Sequence, residues 1–485
     1  MSKRFYDLQI TISSLTLGIG AILITLLETR VVLGQTPPEI DSHTPSPITE
    51  MEKVNSESPT TIEADSTSAK DLVSNLHEEK FNAQDKPSTE SEDKKQVDPF
   101  TKTSGGQFRF DVTKPGQSFS FGLGSIIGYP DALNGPTRKS LNVPQEETRL
   151  SVISVSGHIR QQLGKNQGIL LEGIADPKLY GLDFRYGNIA PSLPGAFAAN
   201  IFSQSARSPA FENGEEDIDL ANGNAPWVVR IGGGVEYILP ITSNLDGALG
   251  MNYQQVSIRD AAFTNNIESE DELGNSLTFS DDGQDTLWTI DAAFLWATTD
   301  NPDAPTRGSR LRFATSQSIP VGDANILYNR LDAGFSQFIP LNLFGFTEGP
   351  RTLVLNFQTG TFIGDVPSYQ AFNLGGANIV RGFDNGEVGT SRSFIKTTAE
   401  YRFPIASLIL FKQDVGVGGN LFVDYANDLG TADGVRGNPA DARGKPGDGL
   451  GYGLGLSADT SFGRFRVEFG LNSDGGSQFH LAVGD

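Results

Sequence analysis

The chain has 485 residues and a net charge of -22; 37% of its residues are hydrophobic, and it holds 55 Gly, 31 Phe, four His and no Cys. The missing Cys excludes disulfide scaffolds, thiolate metal sites and cysteine nucleophiles. The acidic balance excludes a nucleic-acid binder, which needs clustered Lys and Arg against phosphate.

Residues 1–34 read as a secretory signal. Lys3 and Arg4 precede the apolar run from Ile10 to Leu27, and Val32 and Gly34 stand three residues and one residue before Gln35. This is the order of n-region, h-region and cleavage site. The run also approaches spanning length, so a retained anchor is the alternative; either way the rest of the chain leaves the cytoplasm. Residues 35–105 are acidic and rich in Ser, Thr, Pro and Glu, as in STESEDKKQ. They cannot bury enough apolar surface to offset chain ordering, which predicts a disordered linker. His43 and His77 fall in it, and His77 reads as a solvated side chain.

From residue 106 to 485 the pattern is β-structure. Phe465, Val467, Phe469 and Leu471 alternate with Arg464, Arg466, Glu468 and Gly470, and Leu311 and Phe313 stand against Arg310, Arg312 and Ala314. Apolar residues at period two define a half-buried strand. About sixteen such segments follow one another, near 118–126, 148–162, 167–174, 178–187, 195–205, 226–239, 246–259, 286–299, 308–319, 326–341, 350–363, 393–406, 418–427, 450–461, 463–472 and 477–484. Short connections alternate with long ones, the latter at about 206–225, 260–284, 364–392 and 428–449. An even number of strands with that alternation predicts an all-β fold, a 16-stranded antiparallel transmembrane β-barrel. Closure satisfies every backbone group, as lipid demands. A propeller would show a blade repeat, and none recurs.

The tetrad Val380-Arg381-Gly382-Phe383, within FNLGGANIVRGF, resembles the VRG[F/Y] motif of the BamA, TamA and two-partner-secretion (TpsB) transporter superfamily, the bacterial surface antigen type. Ala399 to Ile405 is similar to that family's strand after the sixth extracellular loop, and Phe422-Val423-Asp424-Tyr425 to its FxDxG motif. Asp300-Asn301-Pro302 with Pro305 and Gly308 resembles its DNPxxPxxG entry to a mid-barrel strand. The stretch Pro209 to Gly223 is similar to the cyanobacterial branch. The resemblance implies that the loop folds back into the barrel and that Arg381 meets Asp424 on the inner wall. Period two agrees: with Leu421 and Val423 toward lipid, Phe422, Asp424 and Ala426 face inward. Phe422 inside is a mild cost unless the loop stacks on it. Gly375, Gly376 and Gly382 permit tight turns and close backbone approach.

Two departures from the family stand out. Its members carry periplasmic POTRA domains, whereas the polar residues between signal and barrel lack such a domain's apolar core, and FHLAVGD at residues 479–485 lacks a terminal aromatic.

Other chemistry is weak. Gly451-Tyr452-Gly453-Leu454-Gly455 lacks the Lys and Ser or Thr of a phosphate loop and reads as small residues on an inner wall. His158 and His480 have no neighbouring His, which argues against a metal site. The acidic runs Glu215-Glu216-Asp217 and Glu268 to Glu272 read as solvated loops, with divalent-cation bridging to anionic lipid as the alternative. The expectation is therefore no enzyme, no cofactor and no metal. The expected function is insertion of outer-membrane proteins or translocation of polypeptides across the outer membrane. A seam between the strands at 118–126 and 477–484 would serve as a lateral gate, and Arg381 as a lumen latch. The expected partners are outer-membrane lipid and lipopolysaccharide, with unfolded outer-membrane or secreted polypeptides as clients. The alternative is a passive pore or structural envelope barrel.

Overall fold

The structure is a computed structural model that describes residues 108–114, 117–123, 155–163, 167–189, 195–301, 304–410, 413–460 and 463–483. Every described residue lies in one compact unit, Thr89–Asp485. The expected signal at 1–34 and linker at 35–105 lie outside the described residues.

In chain order the strands are β1 (Phe108–Lys114), β2 (Gln117–Leu123), β3 (Val155–Gln162), β4 (Gln167–Asp176), β5 (Leu179–Ile189), β6 (Ala196–Ala206), β7 (Trp227–Thr242), β8 (Leu245–Arg259) and β9 (Gln284–Ala297). There follow β10 (Gly308–Ser318), β11 (Tyr328–Pro340), β12 (Thr352–Gly364), the short β13 (Phe372–Leu374) and β14 (Gly389–Ser391), then β15 (Ser393–Leu410), β16 (Gln413–Asn427), β17 (Asp448–Thr460), β18 (Gly463–Asn472) and β19 (Ser477–Val483). Strands β13 and β14 pair only with each other. The rest form one 17-stranded sheet. Each of the sixteen segments expected from the sequence overlaps one of its strands from β2 to β19. The seventeenth is β1, which hairpins onto β2 with Phe108 opposite Leu123. Its apolar positions Phe108, Phe110 and Val112 alternate like the others, so period two extends one strand further toward the N-terminus.

The two faces separate as the alternation requires. Leu421 and Val423 are exposed, while Phe422, Asp424 and Ala426 between them are buried. Leu311 and Phe313 are exposed, and Arg312 and Ala314 are buried. Apolar residues outside and polar residues inside reverse the pattern of a soluble protein and match a barrel wall in lipid. Curvature shows in the segment between β12 and β15, which reaches opposite parts of the ladder. The Tyr369 carbonyl accepts from Arg230 Nη2 on β7 at 2.8 Å, and the Gly382 N–H donates to His480 Nε2 on β19 at 3.1 Å. One short segment touches both only if the sheet curls around it.

Long connections gather at one end of the wall, at residues 207–226, 260–283, 365–392 and 428–447, whereas β7 and β8 at the other end are joined by residues 243–244 alone. The main apolar cluster lies among these long connections and the strand ends beneath them. Phe211 and Leu220 come from the first, Leu277 from the second, Phe372 and Leu374 from the third and Val435 from the fourth. The four long connections thus share one core and cap the mouth.

Candidate functional site

Arg381 sits in the connection between β12 and β15 and is 5% exposed. Its Nε donates to Asp424 Oδ2 at 2.7 Å and its Nη2 to Asp424 Oδ1 at 3.0 Å, a bidentate pair, and the Arg381 backbone N–H adds a third bond to Oδ2 at 3.2 Å. The planar guanidinium fork suits this geometry. Its Nη1 reaches two further carboxylates, Glu400 Oε2 on β15 at 2.6 Å and Glu468 Oε1 on β18 at 2.9 Å. The Arg381 Cζ lies 3.6 Å from the centre of the Phe422 ring. Phe422 is therefore stacked by the loop, and the cost of an inward phenylalanine is offset by a cation–π contact.

The turn after Arg381 is sewn to the last two strands. Gly382 donates its N–H to His480 Nε2, and its carbonyl accepts from Asn472 Nδ2 at 2.8 Å. Asp384 Oδ2 accepts from Gln478 Nε2 at 2.8 Å. His480 thus serves as a neutral acceptor, its proton assigned to Nδ1 from this network. Among the described residues no group of three His, Cys, Asp or Glu is disposed to hold a metal.

Close backbone approach explains the glycines. Gly382 has a φ of 102°, a conformation side chains rarely adopt. Gly375 and Gly376 also have positive φ and carry the chain into the turn. On the facing wall, a Cβ at Gly451 would stand 1.8 Å from the Arg381 carbonyl oxygen, and one at Gly453 would stand 2.7 Å from the Phe422 ring. The GYGLG run therefore makes room for the loop. Val380 and Phe383 flank Arg381 fully buried in the apolar cluster, so the tetrad holds one charged residue between two apolar anchors.

The structure thus brings together Val380, Arg381, Gly382, Phe383 and Asp424, with Gly375 and Gly376 in the turn leading to them. Sequence reasoning missed Glu400, Glu468, Asn472 and Gln478 as partners. Period two puts Glu468 on the charged, inward face of its strand, but the register that sets Glu400 opposite Phe422 and Glu468 opposite His480 comes from the structure.

The acidic runs differ in part from their reading as solvated loops. Glu215, Glu216 and Asp217 are exposed, but Asp271 is buried. Asp271 takes the N–H groups of Leu273 and Asn275 at 2.9 and 2.7 Å, and Arg443 bonds both Asp271 and Glu272. These acids brace the cap because backbone donors and an arginine converge on them. Lys445 performs a related task, its Nζ reaching the Pro209 and Ala210 carbonyls at 2.9 and 3.4 Å and Thr390 Oγ1 at 3.2 Å. Burial pushes its ammonium down to about 7 against the pull of Asp217 and Glu212. At the opposite end, Asp300 takes the Thr306 hydroxyl at 2.5 Å and the N–H groups of Thr306 and Arg307, and these bonds hold its carboxyl down to about 2.

Residues 164–485 match the Omp85 superfamily domain. The chloroplastic outer envelope protein 80 of Arabidopsis thaliana is 31% identical over 287 residues, covering 58% of this chain and 36% of that protein. Protein TOC75-4 of the same plant is 29% identical over 302 residues, covering 58% of this chain and 70% of that one. This chain spans little more than a third of the first-named relative. BamA from Haemophilus ducreyi lacking POTRA domains 1–3 superposes with a TM-score of 0.53 at 16% identity, over 79% of this chain and 76% of that one, which shows a shared fold.

Proposed function

The chain belongs to the Omp85 superfamily, and from that premise we propose that it is an outer-membrane barrel that inserts or translocates polypeptides, its lumenal loop latched by Arg381 on Asp424. The observation that carries this reading is the burial of one guanidinium among three carboxylates from three strands. A buried cation shared by three anions is a poor way to gain stability, because desolvation consumes most of the attraction. It is a good way to fix one loop position and to release it as a unit. Polypeptide clients would then meet a seam between β2 and β19, next to the strand that bonds Gly382.

The surrounding lipid, and lipopolysaccharide where the outer leaflet carries it, would contact the exposed apolar wall. The passive-pore alternative needs an open mouth, and the apolar cluster among the long connections argues against one.

Reconstitution in planar bilayers tests the latch. Arg381→Ala and Asp424→Ala should each raise conductance fluctuations and open residues 365–392 to protease. Unchanged traces and unchanged cleavage in both variants would sink it. Depletion in the native cell tests the function: levels of other outer-membrane barrels or of a secreted partner should fall. Normal levels together with lost small-solute permeability would select the passive pore.

A further inference from the structure

The β11–β12 connection, residues 341–351, lies at the end away from the cap and reads LNLFGFTEGPR. Turns in water show polar side chains and leave backbone groups to solvent. Here Leu343 and Phe346 are 65% and 73% exposed and Phe344 is exposed beside them, while protein groups bond the backbone N–H of all three. The Tyr401 hydroxyl accepts the N–H groups of Leu343 and Phe344, both at 3.1 Å, and donates to the Phe344 carbonyl at 2.7 Å. That exhausts the hydroxyl's two acceptor sites and its one donor. The Phe346 N–H donates to the Pro404 carbonyl at 2.9 Å, and the Arg351 guanidinium donates to the Thr347 and Gly349 carbonyls at 2.9 and 3.2 Å. Exposed apolar side chains whose own N–H groups are bonded to protein, as at Leu343, Phe344 and Phe346, suit hydrocarbon better than water.

Ring contacts and strand register give the surface it joins. The Phe344 ring centre is 4.9 Å from that of Tyr401 and 4.7 Å from that of Phe403, so the connection folds onto the outer wall of β15. Phe403 stands opposite Gly419, Gly419 opposite Leu456, Leu456 opposite Val467 and Val467 opposite Leu481. Leu456, Val467 and Leu481 are exposed members of the lipid-facing band. The connection is therefore continuous, through β15, with the exposed apolar outer face of the following strands.

We propose that residues 343–346 form a lipid-immersed foot that seats Leu343, Phe344 and Phe346 among acyl chains and anchors the outer face of β15, with the exposed Asn342 and Glu348 at its polar edge. Strand β15 carries Glu400, so the foot ties the Arg381 network to the bilayer. The proposal rests on the transmembrane barrel and not on polypeptide insertion.

The chain has no Cys, so one introduced thiol reports one place. Phe346→Cys, spin-labelled in full-length protein in phosphatidylcholine vesicles, should collide with oxygen far more than with a water-soluble nickel chelate. The ratio should match that of labelled Leu481→Cys on the lipid band and exceed several-fold that of labelled Glu216→Cys on the cap. A ratio like that of Glu216→Cys overturns the proposal in favour of an aqueous turn. Protection from both reagents overturns it in favour of a protein occupant. Adding Tyr401→Phe frees two amides and should lower the ratio; no change would mean that backbone satisfaction does not hold the foot in lipid.

Discussion

The loop between β12 and β15 is held at two places by opposite means. Around Arg381 the hold is electrostatic, directional and concentrated in one side chain with three carboxylate partners. Toward the mouth the hold is apolar and spread over residues from four connections, among them Phe211, Leu277, Phe372 and Val435. The first tolerates no substitution yet can let go in a single event. The second absorbs individual losses and lets go gradually, because each contact is small and the sum is large. A loop gripped in both ways can leave the wall while the cap stays folded.

The sharpest break in this contrast comes from charge. Arg381→Ala leaves the buried Asp424 without its cation, while Glu400 keeps Arg402 and Glu468 keeps Asn420, and should cost the docked loop about 3–5 kcal/mol. Combining it with Asp424→Ala should cost less than the two single changes summed, as a double-mutant cycle on hydrogen exchange of residues 378–386 can measure. Additivity would mean that the pair is not energetically coupled.

Leu374→Ala removes a fully buried side chain from the apolar side and should cost about 2–5 kcal/mol. It should loosen the cap around 365–392 and 428–447 while leaving protection at Arg381 and Gly382, which are held by polar bonds, intact. Equal loss at both places would show that the two holds are one.

Lys445 gives the cap a pH dependence. Its docked value lies near 7, below the ordinary lysine value of 10.5, so between these limits the docked cap binds fewer protons than the undocked one. Docking therefore strengthens as pH rises from 7, and it is weakest and flat below 7. At about 1.4 kcal/mol per unit, raising the pH from 7 to 9 should add roughly 2–3 kcal/mol to cap protection. Lys445→Met should abolish the slope, and a slope that persists in that variant would assign it to another group.

The smallest effect belongs to His480→Gln. A neutral acceptor is kept on β19, so the loss should be about 1 kcal/mol or less for the Gly382 bond. Hydrogen exchange at Gly382 reads this loss, and a loss several-fold larger would mean that the imidazole does more than accept this one bond.

Much of the wall was legible because alternation is local: each stretch such as Arg464 to Leu471 declares its own two faces. Gly382 and Arg381 were legible through the tetrad that holds them. Glu400 and Glu468 were not, although both lie on inward positions, because their meeting depends on the stagger of β15, β16 and β18, and stagger is not written in any single strand. The cap was misread for a related reason. Asp271 belongs to a run of acids that looks solvated, and only the approach of Arg443, from a connection far along the chain, makes it an internal brace.

Chain order gives the knot a history. Asp424, Glu468 and His480 all follow Arg381, the last by about a hundred residues, as does Glu400, whereas Pro209, Arg230 and Asp285, which meet the same connection or its neighbour, precede it. Val435 and Lys445 of the cap follow it too, so only the parts from residues 207–226 and 260–283 precede the loop. The full set of Arg381 and Gly382 partners needs the final hairpin, and a barrel missing its last strands should be recognisable by a loop that exchanges more readily with water.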